Sequence, residues 1–306
     1  MNSSVIHDSE TRASAARYFS RLRVQDILVL QGPPLLGAAF AMTHPHARDI
    51  DSIIVLLAGN LFLMTHVFMI NDWAGLAADL ADPKKAAGVF TARGAGTREI
   101  GGITAALLVV SLLIFSWLGA VTVGLALAIA ALSAFYSLPH FHWKARPLLN
   151  SATHLCGGVL HFLLGYCVGH ALDRRGLVTG MYFALVFAAG HLTQEVRDYA
   201  GDATNAIRTN AVAFGPRRTF IASLILFASA QVLFLALAFE NIVPRGLAAV
   251  VLLFPIQIYW SLQTLREGLT YENVSRLQAQ YRVLYAFIGM CIVAVLLVAR
   301  VHAIAL

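Results

Sequence analysis

Nine times along 306 residues an apolar run of about twenty returns between polar breaks, at roughly 25–43, 51–71, 100–117, 120–138, 151–171, 178–197, 219–239, 244–264 and 281–300. A helix rising ~1.5 Å per residue needs about that many residues to cross a ~30 Å hydrocarbon layer. The chain is therefore expected to be an all-α, multi-pass integral membrane protein. Composition agrees: 58% of residues are hydrophobic and 12% charged, against about 25% charged in soluble domains. Mean hydropathy is +0.72. A soluble enzyme, a secreted disulfide scaffold and a disordered chain are excluded.

The basic residues test the helix count. With the N-terminus inside, one face of the membrane receives 17 of the 22 Lys and Arg residues and the other receives 5. A wrong count would scramble that division, since Lys and Arg gather in cytoplasmic loops. The N-terminus is thus expected in the cytoplasm and the C-terminus outside, in a plasma membrane of prokaryotic type. The same asymmetry accounts for a pI of about 9.5, so no nucleic-acid partner is implied. Residues 1–24 read as a cytoplasmic lead-in without a cleavable apolar signal, and 25–306 as one domain. Cys156, Cys167 and Cys291 all fall in apolar runs without CxxC spacing and are expected to be small buried hydrophobes.

Acidic residues concentrate in two windows. Asn71, Asp72 and Asp79, followed by Asp82, lie within about 100° of one another on a helical wheel. In the second window Glu195, Asp198 and Asp202 share a band of about 60° with His191. Both windows end spans on the same side. Like charges at such spacing repel, and a carboxylate at the hydrocarbon boundary costs a few kcal/mol in desolvation. The stripes are either solvated helix ends or ligands of a shared cation. The donors are nearly all oxygen, which suits Mg²⁺, an ion that commonly holds a substrate phosphate as well. A diphosphate substrate is the natural third party.

These residues resemble the UbiA superfamily of intramembrane prenyltransferases, whose aspartate motifs are NDxxDxxxD and DxxxD. Asn71, Asp72 and Asp79 match the first, and Asp198 and Asp202 the second. Tyr136-Ser137-Leu138-Pro139 through Lys144 and Arg146 is similar to the family's Tyr-Ser segment with its basic tail. The chain departs from the pattern at Gly75, where the family carries the middle aspartate, and lacks the usual Arg-Pro after the first motif. Asp72 and Asp82, on the same wheel face, could compensate for Gly75.

The resemblance implies helices ringing a central cavity with a cytoplasmic cap. It also implies Mg²⁺-dependent transfer of a prenyl group from an allylic prenyl diphosphate to an aromatic or lipid-like acceptor. Asp72, Asp79, Asp198 and Asp202 would be catalytic, and together with Asn71 and Glu195 would ligate metal. Asn71, Lys84, Lys144, Arg146 and Arg208 would hold diphosphate. Tyr136, Tyr199 and His191 would line the cavity or stabilise the allylic cation. The alternative is a cyclase of the same family, which ionises the diphosphate but needs no acceptor; a sugar-diphosphate variant is a third reading. A transporter would place charges deep in the spans, and these acids sit near one surface. His66 reads as a packing residue, His154 and His161 as interhelical hydrogen-bonding residues, and the Gly165–Gly169 pair as small-residue helix packing.

Overall fold

The structure, a computed structural model, describes residues 24–42, 47–81 and 96–304. The protein is all-helical, and nine helical segments among the described residues are long and apolar enough to cross a membrane. They are 24–41, 49–74, 97–116, 120–137, 149–169, 174–204, 216–239, 245–267 and 271–300, each overlapping the run read from sequence. Lys84, Lys85, Arg93 and Asp82 lie outside the described residues, as does the side chain of Asp79.

Two spans depart from single α-helices. The first is α1 (Val24–Val29) and α2 (Gly32–Ala41), broken before Pro33 and Pro34, whose missing N–H groups leave carbonyls of the preceding turn without helical donors. Within an apolar bundle such carbonyls need other partners. Asn60 Nδ2 donates to Leu30 O at 3.0 Å and to Gln31 Oε1 at 2.9 Å. Asn60 sits on α3 (Ala47–Ala74) and is fully buried, and its Oδ1 accepts from His161 Nε2 at 2.8 Å. One polar chain thus ties three spans together, and His161 has the interhelical role read from sequence. The eighth span begins as a 3₁₀ helix, Arg245–Leu253, and becomes α11 (Phe254–Glu267) at Pro255.

The remaining helices are α4 (Leu76–Ala81), α5 (Thr97–Ser116), α6 (Ala120–Ser137), α7 (Leu149–Gly169), α8 (Arg174–Thr204), α9 (Asn210–Phe214), α10 (Pro216–Phe239) and α12 (Tyr271–Ile304). α8 packs on α7 and α10, α7 on α2 and α6, and α3 on α5 and α6. The core between them is built from Phe162, Leu163, Leu164, Tyr182 and Phe234. His66 donates from Nδ1 to Thr104 O at 2.8 Å, a packing role. The three cysteines are free, but their burial departs from expectation: Cys156 is exposed and Cys167 and Cys291 are half-buried. The outer face of a membrane helix is apolar too, so an apolar run does not tell a core-facing cysteine from an outward one.

Glycine sets the closest helix contact. A Cβ at Gly165 would stand 1.7 Å from Pro34 O, and one at Gly37 would stand 2.1 Å from Phe162 O. Only hydrogen at these positions lets α2 meet α7 backbone to backbone. Asp173 caps α8, its Oδ1 accepting from Gly176 N at 2.7 Å, and that hydrogen bond holds the carboxyl below the usual range. Gly165→Leu is expected to lower the thermal midpoint of the detergent-solubilised protein, overpacking of this kind costing about 1–3 kcal/mol or more. Gly157→Ala, where an added Cβ meets nothing within 4 Å, serves as the unaffected control.

Candidate functional site

The C-terminal ends of α3, α6 and α8 and the N-terminal end of α7 surround a cavity of about 130 Å³ at one end of the bundle. Its lining brings together Asn71, Asp72 and Gly75 from the first acidic window with His191, Gln194, Glu195, Asp198 and Asp202 from the second. Tyr136, Lys144, Asn150, Asn205, Ile207 and Thr209 complete it. The two windows, more than a hundred residues apart in sequence, thus face one space. They reach it from helices whose main packing is with other neighbours, α3 on α5 and α6, α8 on α7 and α10.

Within α8, successive turns treat their carboxylates differently. Glu195 is 3% exposed. Its Oε1 accepts from Asn150 Nδ2 at 2.7 Å, Asn210 Nδ2 at 3.0 Å and His191 Nε2 at 3.1 Å. Its Oε2 accepts from Ala211 N at 3.2 Å. Hydrogen bonds to a charged group contribute about 1.5–3 kcal/mol each, enough together to offset the burial of one carboxylate. One turn on, Asp198 is gripped by its neighbour: Arg197 Nε and Nη2 each donate to it at 2.8 Å. Arg197 also donates to Gln278 Oε1 on α12 at 2.8 Å and lies 5.9 Å from the Tyr271 ring. Asp202 stands a further turn toward the end of the helix.

The aromatic wall of the cavity is Tyr136 and His191. His154, outside the lining, stacks on His191 with centroids 3.3 Å apart and planes 9° from parallel, and Tyr136 presents its edge to His154 at 5.0 Å and to His191 at 6.3 Å. His154 donates from Nδ1 to Asn150 O in its own helix at 3.0 Å, so its role is this stack rather than an interhelical hydrogen bond. On the loop side Lys144 belongs to a short 3₁₀ turn, Trp143–Ala145. Trp143 stacks on Phe135 of α6 at 4.9 Å, and Asn150 Nδ2 donates to Lys144 O at 3.0 Å. His142, just before the turn, is held below the ordinary histidine range by burial and then by Lys144 and Arg146.

Three residues singled out from sequence do not join the cavity lining. Tyr199 is exposed on α8, about 100° around the helix from Asp198. Arg146 and Arg208 are exposed on the loops that follow Lys144 and precede Thr209. Asn150, Asn205, Gln194 and Arg197 were not singled out for the site. Their signal was present but weak: amides in or just beyond the apolar runs, at the same end of the bundle as the acids, and an arginine beside the motif aspartate.

The donors fit a hard cation. Asn71, Asp72, Asp198 and Asp202 offer oxygen alone, and the buried Asn150 Oδ1 has no partner among the described residues. Among those residues no three His, Cys, Asp or Glu side chains stand close enough to enclose an ion by themselves. Such a set suits Mg²⁺, which takes one or two carboxylates and fills its remaining positions with water and substrate phosphate.

Nine membrane-length helical segments among the described residues and a carboxylate-lined cavity at one end of the bundle place the chain in a class of helical integral membrane proteins. The chain belongs to the UbiA prenyltransferase family, whose model matches residues 32–288. It is similar in fold to a UbiA homolog from Archaeoglobus fulgidus bound to DMAPP and Mg²⁺, with TM-score 0.70 and 17% identity over 91% of this chain and 99% of that one. A digeranylgeranylglyceryl phosphate synthase gives TM-score 0.68 and 14% identity over 92% and 97% of the two chains. An apo UbiA homolog from Aeropyrum pernix K1 gives 0.67 and 16% over 90% and 98%. No curated protein matches by sequence.

Gly75 lines the cavity at the break between α3 and α4 and is not among the glycines with positive φ, so a side chain is tolerated by its backbone. Gly75→Asp is expected to tighten Mn²⁺ binding several-fold, read by electron paramagnetic resonance. Unchanged or weaker binding would show that position 75 does not face the cation.

Proposed function

We propose that the protein is an Mg²⁺-dependent prenyltransferase that moves a prenyl group from an allylic prenyl diphosphate to an aromatic or lipid-like acceptor within the membrane. The observation that carries the reading is the single cavity shared by Asn71, Asp72, Asp198, Asp202 and Lys144. The fold supports it, since a UbiA homolog of the same fold is described bound to GPP and Mg²⁺. Residues 25–306 form the one domain, with the N-terminus and the cavity on the cytoplasmic side. The 17-to-5 division of basic residues supports that orientation.

In this reading Asn71, Asp72, Asp198 and Asp202 hold the cation, joined by Asp79. Bound Mg²⁺ offsets the charge that builds on the diphosphate as the allylic C–O bond breaks. Lys144 adds its ammonium to the same oxygens, joined by Lys84, and so stabilises the leaving group more than the bound substrate. The rings of Tyr136 and His191 line the space where the allylic carbon becomes cationic, and aromatic faces attract such a charge. The aromatic wall also keeps water from the cation. The acceptor carbon then bonds to the allylic carbon and releases a proton.

The test is incubation of purified protein with geranyl diphosphate and Mg²⁺, with and without a panel of aromatic and lipid acceptors. Prenylated acceptor is expected, abolished by EDTA. Asp72→Asn and Asp198→Asn are expected to lower kcat/KM by about 100-fold, the scale for loss of one preorganised electrostatic contact. Cyclic hydrocarbon or alcohol formed without acceptor would replace transfer by cyclisation. Turnover untouched by either substitution would overturn the site.

A further inference from the structure

Wheel geometry puts Glu195 with the metal ligands, but its surroundings give it different work. A carboxylate offers about four lone-pair sites, two on each oxygen, and Glu195 accepts from four N–H groups of the protein, three on Oε1 and one on Oε2. Oε1 is saturated, and Oε2 keeps one lone pair beside the Ala211 N–H, so the carboxylate is turned toward protein donors rather than open to a cation. The donors come from separate pieces of chain: Asn150 heads α7, Asn210 and Ala211 head α9, and His191 lies one turn deeper in α8.

Two of these donors reach on to the loop that carries Lys144. Asn150 uses the same Nδ2 to hold Lys144 O at 3.0 Å. Asn210 accepts from Leu148 N at 2.8 Å through Oδ1 and donates to Ser151 Oγ at 3.0 Å. Leu148 has φ 66°, a conformation unfavourable for a leucine, and the Asn210 contact is what anchors its backbone there. Both ends of the segment 144–148 therefore refer back to one buried carboxylate.

We propose that Glu195 is a positioning residue for the diphosphate-binding Lys144, acting through Asn150 and Asn210, and that it does not ligate the cation. The proposal rests on the functional reading above and on the geometry of the hub, and it separates Glu195 from Asp198 although the two are one turn apart.

The test uses the full-length protein in detergent, with Glu195→Gln, Asn150→Ala, Lys144→Ala and Asp198→Asn variants and the double variant Glu195→Gln/Lys144→Ala. Two quantities are read: Mn²⁺ affinity by electron paramagnetic resonance, and geranyl diphosphate affinity from its protection against thermal unfolding. Glu195→Gln, Asn150→Ala and Lys144→Ala are each expected to weaken geranyl diphosphate by about tenfold, the scale of one charge-assisted hydrogen bond. Each is expected to leave Mn²⁺ affinity within about twofold of the parent, and Asp198→Asn to weaken it by about tenfold or more. The double variant is expected to bind geranyl diphosphate no more weakly than Lys144→Ala alone, because residues acting as one unit are not additive. Asn150→Ala leaves Glu195 three of its four donors and keeps the test open should Glu195→Gln fail to fold. Mn²⁺ affinity lost in Glu195→Gln as in Asp198→Asn, or additive losses in the double variant, would overturn the proposal alone. Parent protein that gains no protection from geranyl diphosphate with Mn²⁺ would overturn the functional reading and this proposal with it.

Discussion

Carboxylates at the edge of an apolar bundle must be matched by partners, because neither lipid nor core can solvate them. Helix α8 solves this problem differently on successive turns. Glu195, deepest of the three, is satisfied entirely by N–H groups of the protein and becomes a structural centre. Asp198 is held by a guanidinium from its own neighbour. Asp202 faces, with Asp72, the shared cavity. Burial of Glu195 and partial exposure of Asp198 and Asp202 thus divide one acidic stripe into a scaffold at its inner end and a cavity-lining surface at its outer end.

The middle of the bundle serves that arrangement by holding the spans in register. The hydrogen-bonded chain Gln31–Asn60–His161 crosses three spans, and the glycine contacts bring α2 against the backbone of α7. α7 in turn carries Asn150 into the cavity lining and His154 onto the ring of His191. The cavity end has irregular backbone of its own, at His142 and Leu148 with positive φ and at the α3–α4 break beside Gly75. A rigid apolar body with an irregular polar end is the form expected of a site that must receive a charged head while its tail stays in hydrocarbon.

Much of this was legible in the residues. Spans are set by length and apolarity alone, both local properties, so the nine runs return as nine membrane-length helical segments among the described residues. The convergence of Asp72 with Asp198 and Asp202 was also readable, since two stripes of like charge ending on one side have few other uses. What lies opposite a residue is not a local property. Glu195 shares a wheel face with the aspartates, yet its partners Asn150 and Asn210 stand 45 and 15 residues away, and no wheel could show that they reach it. Tyr199 was misplaced for the complementary reason: adjacency to a motif residue puts a side chain about 100° away on a helix, not beside it. The break before Pro33 was visible in the sequence, but its repair by Asn60 was not.

The central claim, that carboxylates from two distant spans share one cation, is tested most directly by anomalous diffraction from crystals grown with Mn²⁺ and a non-hydrolysable geranyl diphosphate analogue. The account predicts a manganese peak within ligand distance of Asp72 and of Asp198 or Asp202, with analogue oxygens completing the coordination. A peak touching residues of only one window, or analogue bound with no metal beside it, would contradict it.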